Sequence, residues 1–413
     1  MGVKGSSKQR ACASGTYPKV NLTDLRQAPT GDLLAEHRSA LEAALGVPAS
    51  DGNQVDILQN GAEIFPAMLR AIALARERVD LLTYVYWDGA TARDFAAALS
   101  SKARQGVSVN LLIDAFGSKN VDDATIASMR ESGVVVRWFR PLARWRFWLN
   151  DNRTHRKILV VDNRIGFTGG VGIADEWSGD AEGPSNWRET HFRFAGPAVA
   201  GLKAAFLDNW NEAGDWEWDH VPDQTQPAPG GVPVQIVQAA STIGWTATAS
   251  LLRALVTIAR HSLHIVTPYF VPDRTLRDML SAKSTRGVDV RLMYPGEHCD
   301  MRLPQLAGYP SVGPLLKSGV EVWEYQKTML HSKIIVVDNL LACVGSANFN
   351  HRSLGKDEEC CAVIYSPTVA TELVAQFDAD CAHAEPVTLR TWHERSRLVR
   401  LQEHLARLIV NEL

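Results

Sequence analysis

The chain has 413 residues, 46% of them hydrophobic, and a formal net charge of −3. That length exceeds one ordinary domain and suits two; the charge supplies no global basic field and argues against a dedicated nucleic-acid binder. The sequence has no apolar run of 18 residues and no apolar leader, so a membrane-spanning helix and a secretory signal are not expected. Residues 1–54 form an arm with one helical stripe over 32–45. A helical pattern over 59–78 follows, then a strand 79–86, a helix 90–104 closed by Gly106 and a strand 107–114. The second half repeats this order with a helix 247–260, a strand 263–269, a helix 274–285 closed by Gly287 and a strand 288–294. Each half then offers a helix and strand, within 124–138 and 312–323, before its most informative segment.

That segment is LHSKIIVVDNLLACVGSANFNHRS in the second half and THRKILVVDNRIGFTGGVGIADEW in the first. Both place a histidine, a lysine two residues on, a β-branched run and an aspartate at identical spacing: His155, Lys157 and Asp162; His331, Lys333 and Asp338. The histidines are 176 residues apart, and Gly169 and Gly345 each follow their own by fourteen. Residues i and i+2 of extended chain share a face, so each His-Lys pair points into one pocket. Asp338 has the opposite parity and is read as fixing the turn, although Asp162 and Asp338 are both grouped with the catalytic residues of their motifs. The alternation predicts an α/β fold of two pseudo-twofold lobes, each a mixed sheet flanked by helices. Their expected bounds are 55–218 and 234–383, joined by a Pro/Gly/Gln-rich linker at 219–233 and followed by a C-terminal helix within 384–413.

Two copies of H-x-K-x4-D with glycine turns resemble the paired HKD motifs of the phospholipase D superfamily. The flanks GGVGIADEW…WRETHFRFAGPAV and GSANFNHRSLGKDEE resemble those of bacterial cardiolipin synthases, especially short forms without membrane spans. The resemblance implies a phosphatidyltransferase that joins two phosphatidylglycerol molecules, or one and a related lipid alcohol, into cardiolipin through a phosphohistidine, releasing glycerol. One histidine attacks phosphorus and the other protonates the leaving alkoxide, while Lys157 and Lys333 hold the nonbridging oxygens. The resemblance to secreted phospholipases D favours His155 as nucleophile. This scheme requires no metal and no cofactor.

Each histidine needs a carboxylate on its second nitrogen. The resemblance implies Glu359, with Glu358 a near competitor, and Glu189 in WRETH. Ser346, Asn348 and Gly170 are expected at the phosphate; the first half carries Gly172 where the second carries Asn348. Hydrolysis to phosphatidic acid and a nuclease of the same superfamily are the alternatives. The expected partners are phospholipids, met by peripheral contact with the cytoplasmic membrane from the cytoplasm. Oligomeric state is not readable.

Three features remain outside this scheme. Six cysteines without paired spacing are expected as free thiols in a reducing compartment. An insertion before His155 interleaves Arg140, Arg144, Arg146 and Arg153 with aromatic residues, fitting either a membrane interface or a packed loop with cation–π pairs. The tail carries Leu398, Leu401, Leu405, Leu408 and Ile409 on one stripe, read first as a helix packed on the second lobe and second as a membrane-surface helix.

Overall fold

The computed structural model describes residues 30–141, 152–214, 227–228, 230–239 and 246–408. Helix α1 (Thr30–Leu45) precedes the first lobe: β1 (Ser50–Gln59), α2 (Asn60–Leu74), β2 (Arg78–Thr83), α3 (Ala90–Arg104), β3 (Ser108–Asp114), α4 (Asp123–Glu131), β4 (Val135–Phe139), β5 (Ile158–Val161), β6 (Ile165–Gly169), β7 (Thr190–Ala195) and α5 (Ala198–Glu212). The second lobe repeats the plan: β8 (Val232–Ala239), α6 (Ala247–Ile258), β9 (Ser262–Val266), α7 (Arg274–Thr285), β10 (Asp289–Pro295), α8 (Arg302–Ser318), β11 (Glu321–Tyr325), β12 (Ile334–Val337), β13 (Leu341–Gly345), α9 (His351–Gly355), β14 (Glu359–Ile364) and α10 (Pro367–Cys381). The tail adds β15 (Ala384–Val387), α11 (Leu389–Glu394) and α12 (Arg397–Arg407).

Among the described residues all strands join one 15-stranded sheet in the order β4-β3-β2-β5-β6-β7-β1-β8-β14-β13-β12-β9-β10-β11-β15. Read outward from the central β1-β8 pair the two halves have the same order, up to the extra edge strand β15, so the sheet displays the internal repeat. Antiparallel pairing of β1 with β8 stitches the lobes together. In each lobe three strands run parallel through helical crossovers, β2-β3-β4 and β9-β10-β11, as right-handed βαβ units require.

Burial explains the hydrophobic runs. β5 (ILVV) and β12 (IIVV) are buried at every position because helices cover both faces of the sheet. One core lies under α5 and α10 and continues from lobe to lobe, from Phe192 and Trp210 to Leu330 and Phe377. Two further cores fill the opposite face, one per lobe. At about 1.5–3 kcal/mol for each fully buried large aliphatic or aromatic side chain, these layers dominate stability.

Several boundaries differ from the sequence expectation. The arm ends earlier, because β1 starts at Ser50, and its helix belongs to the second lobe: Leu41 enters that core and His37 meets Asp338 at 2.9 Å. β8 takes the end of the expected linker. α8 begins ten residues before the expected helix despite Pro310 and Pro314 inside it, since its buried face from Pro304 to Leu315 outweighs two missing hydrogen bonds. The tail is not one helix: residues 384–387 pair with β11 before α11 and α12. Cys299, Cys343, Cys360 and Cys361 are free thiols, but Cys381 is disulfide-bonded, a pairing that sequence spacing did not signal.

Candidate active site

The site lies where the two lobes meet, and backbone pairing creates it. Thr154 bridges Glu358 and Arg188 bridges Leu330, each as a parallel bridge between lobes. His155 N donates to Glu358 O at 2.9 Å, and His331 N donates to Arg188 O at 2.8 Å. The residue before each histidine therefore pairs with the residue before the other lobe's glutamate. The next residue on each strand turns to the same side, and the side chains meet.

The consequence is crossed pairing. His155 Nδ1 lies 3.2 Å from both oxygens of Glu359, and His331 Nδ1 lies 2.8 Å from Glu189 Oε2. The resemblance drew Glu189 from the half that carries His155 and Glu359 from the half that carries His331; the structure pairs each glutamate with the histidine of the other half. Glu358, the competitor, faces away and meets Arg140 at 3.0 Å and Asn209.

Burial sets the electrostatics. Glu189 and Glu359 are fully buried, which pushes their carboxyls up. Hydrogen bonds to the histidines, the charges of the histidines and the lysine charges outweigh that and leave each at about 2. The same burial pushes the cations down. Lys157 falls to about 7 and Lys333 to about 8; for Lys157 repulsion from Lys333 adds to the loss of water. His155 is lowered by burial and then by Lys157, and His331 falls to about 3 by burial and then Lys333. Each imidazole has its Nδ1 held by a carboxylate, and Lys333 Nζ lies 3.3 Å from His331 Nε2. Each lysine is anchored by donating to its own histidine's carbonyl, Lys157 at 2.8 Å and Lys333 at 2.6 Å.

The expected phosphate contacts are placed unequally. Ser346 Oγ donates to Glu359, so its hydroxyl holds the carboxylate. Asn348 is buried with its Oδ1 unpartnered. A Cβ on Gly170 would stand 2.3 Å from Glu189 Oε2; that position admits glycine because the carboxylate fills the space. Gly172 packs on Trp177 and Val85.

Asp162 and Asp338, grouped with the catalytic motifs in the sequence, are at the far ends of β5 and β12. This corrects their assignment as catalytic. Each opens a turn with two successive left-handed residues, Asp-Asn, closed by a 3.0 Å hydrogen bond, as a type I′ hairpin demands. Asp162 accepts from the backbone N–H groups of Arg76, Glu77 and Arg78, and Asp338 from those of Arg260, His261 and Ser262. The aspartates clamp the entry to the neighbouring strand.

Other site residues were not singled out in the sequence. Tyr84 meets His155 edge-on with centroids 5.1 Å apart, while Trp177 and Trp187 enclose His331 at 5.2 and 5.3 Å. Asp300 accepts from Tyr269 Oη at 2.7 Å and its charge bears on Lys333. The doubled βαβ plan gave a signal for Tyr84 and Tyr269, which stand just past equivalent strand ends; Asp300 had none. The insertion's Arg153 is buried on Asp114 at 3.0 Å, and Arg140 lies over Phe139 and pairs with Glu212. Those two arginines are packed; Arg144 and Arg146 lie outside the described residues. Among the described residues no group of three or more His, Cys, Asp or Glu side chains is placed to hold a metal.

A family model described as cardiolipin synthase, PLD-like domain, matches residues 68–180 and 252–381, one stretch in each lobe. The chain is 32% identical to cardiolipin synthase 1 of Bacillus cereus over 375 residues, covering 88% of this chain and 73% of that one. It is 34% identical to the cardiolipin synthase of Geobacillus thermodenitrificans, covering 88% and 73%, and 32% identical to the major cardiolipin synthase ClsA of Bacillus subtilis, covering 87% and 75%. The solved phosphatidylserine synthase of Haemophilus influenzae shares the fold, with a TM-score of 0.70 at 14% identity over 92% of this chain and all of that one. The polyphosphate kinase of Porphyromonas gingivalis matches at a TM-score of 0.56 and 14% identity over 86% of this chain and 52% of that one. Matched in both motif-bearing lobes and along most of its length, the chain belongs to the cardiolipin synthase family of phospholipase D-like proteins.

Proposed function

We propose that this protein transfers a phosphatidyl group from phosphatidylglycerol to the glycerol hydroxyl of a second phosphatidylglycerol, forming cardiolipin and releasing glycerol. The crossed His-Glu pairs supporting this reading put two oriented imidazoles and two lysines around one pocket. His155 Nε2 attacks phosphorus as the bond to the departing glycerol oxygen breaks, and that oxygen takes a proton from the His331 imidazolium. The acceptor hydroxyl then attacks the phosphohistidine, gives its proton to His331, and the P–N bond breaks. Lys157, Lys333 and Asn348 meet the nonbridging oxygens. The acid role suits His331 because its carboxylate partner is the nearer, at 2.8 Å. The phosphodiester's negative charge, placed against both rings, supplies the upward push that protonation requires.

The phospholipid is met at a membrane surface by peripheral contact, on the cytoplasmic side. In support, among the described residues no helix is long and apolar enough to cross a membrane. The test is mass spectrometry of the lipids after incubating the purified protein with phosphatidylglycerol vesicles. Cardiolipin with an equal amount of glycerol is expected; phosphatidic acid without cardiolipin would make the protein a hydrolase instead.

A further inference from the structure

Helix α12 packs on the second lobe with the wrong face for its sequence. The residues it buries are Glu403 and Ala406, whereas Leu398, Leu401, Leu405 and Leu408 are 65, 54, 54 and 73% exposed. The spacing of three, four and three puts the four leucines on one stripe about 15 Å long, opposite the buried residues. Its charge is equally one-sided. Glu403, the helix's carboxylate, is buried against Arg395 at 2.6 Å, so the exposed polar residues are Arg397, Arg400, Gln402, His404 and Arg407.

The stripe also has a definite place. Ala406 clusters with Val271, Leu306 and Ala307, which seats the end of α12 on the first turns of α8. Those turns begin at the exposed Met301 and Leu303, directly after Asp300, whose charge bears on Lys333. The buried side of α12 is therefore seated on the helix that follows Asp300.

We propose that α12 is the membrane-docking element: its leucines enter the surface of an anionic phospholipid bilayer and its arginines meet the lipid phosphates, holding the pocket at the surface that carries the substrate. Leucine on one face with flanking arginines and no exposed carboxylate complements such a surface. A second copy of the chain is a poorer occupant, because a twofold contact through this stripe sets arginines against arginines. The inference deepens the proposed transfer between lipids and rests on it for the choice of surface.

The test is flotation of the full chain with vesicles of phosphatidylglycerol and phosphatidylcholine, alongside turnover of short-chain phosphatidylglycerol kept below its micelle concentration. Replacing Leu398, Leu401, Leu405 and Leu408 together by glutamine is expected to weaken vesicle binding by roughly 100-fold while leaving turnover of the monomeric lipid unchanged. A second variant, Arg397→Gln with Arg407→Gln, is expected to remove the preference for anionic vesicles. Vesicle binding by the leucine variant equal to that of the parent overturns the proposal, as does a parent dimer that the variant splits while still binding vesicles. Loss of cardiolipin formation from the parent, with its vesicle binding intact, would sink the transferase reading and leave the docking surface standing.

Discussion

His155 and His331 occupy equivalent positions in the two lobes, yet their surroundings differ in kind. The Glu359 carboxylate beside His155 also accepts from Ser346 and from Ser353 at 2.6 Å, and its two oxygens stand 3.2 Å from the ring. Glu189 beside His331 accepts from Thr190 N at 3.0 Å and approaches the ring to 2.8 Å, with Gly170 where the other lobe has Ser346. A carboxylate shared among hydroxyls has less of its charge to offer an imidazolium. The duplicated fold supplies two similar histidines, and a glycine-for-serine difference beside the carboxylates gives them different surroundings, on which the proposed division of tasks rests.

The strongest test of that division removes each histidine. His155→Ala and His331→Ala should each lower cardiolipin formation by roughly 10⁴-fold or more. With a p-nitrophenyl phosphodiester, whose leaving group needs no proton, His331→Ala should still release one equivalent of nitrophenol and His155→Ala none. The mirror-image result would exchange nucleophile and acid. The carboxylates come next. Glu189→Gln should cost roughly 10³-fold in kcat and Glu359→Gln roughly 10²-fold; equal losses would erase the distinction drawn from their hydrogen bonds.

The lysines give the pH dependence. With Lys157 at about 7 and Lys333 at about 8, the cations proposed to hold the phosphate are lost as pH rises through those values. kcat/KM, which reports the free enzyme, should fall above pH of about 7. Lys157→Arg keeps its charge and should move that limb upward; an unmoved limb would assign it to another group. The smallest effect on turnover is expected from Asp338→Asn, which should leave kcat within about twofold yet cost about 2–4 kcal/mol of stability through weakened backbone clamps, measured by urea unfolding. Burial raises the Asp338 carboxyl, but His37 and three backbone N–H groups outweigh it and hold it below its usual range. Its contribution is present above the unfolded carboxylate value and fades as pH falls through the lower folded one.

Much of this site was legible because its chemistry is local in the chain. His, Lys and the β-branched run lie within seven residues, and a motif written twice in register predicts two lobes facing one another. The Asp-Asn turn was readable too, since parity along an extended strand excludes Asp338 from the histidine's face. Less legible were contacts with no fixed sequence separation. Tyr84, Trp177, Trp187 and Asp300 reach the site from four different segments, and Arg153 fitted an interface or a packed loop equally until Asp114 appeared beneath it.

By itself, then, the sequence determined the elements, their duplication and the reactive side chains, because periodicity and short-range spacing encode strands, turns and local pairs. Only the tertiary structure decided that Glu359 serves His155 and Glu189 serves His331, because that exchange is made by backbone bridges between lobes. It also decided that α12 turns its leucines outward. An amphipathic pattern states that a helix has an apolar face, and packing alone selects whether that face meets the protein or its surroundings.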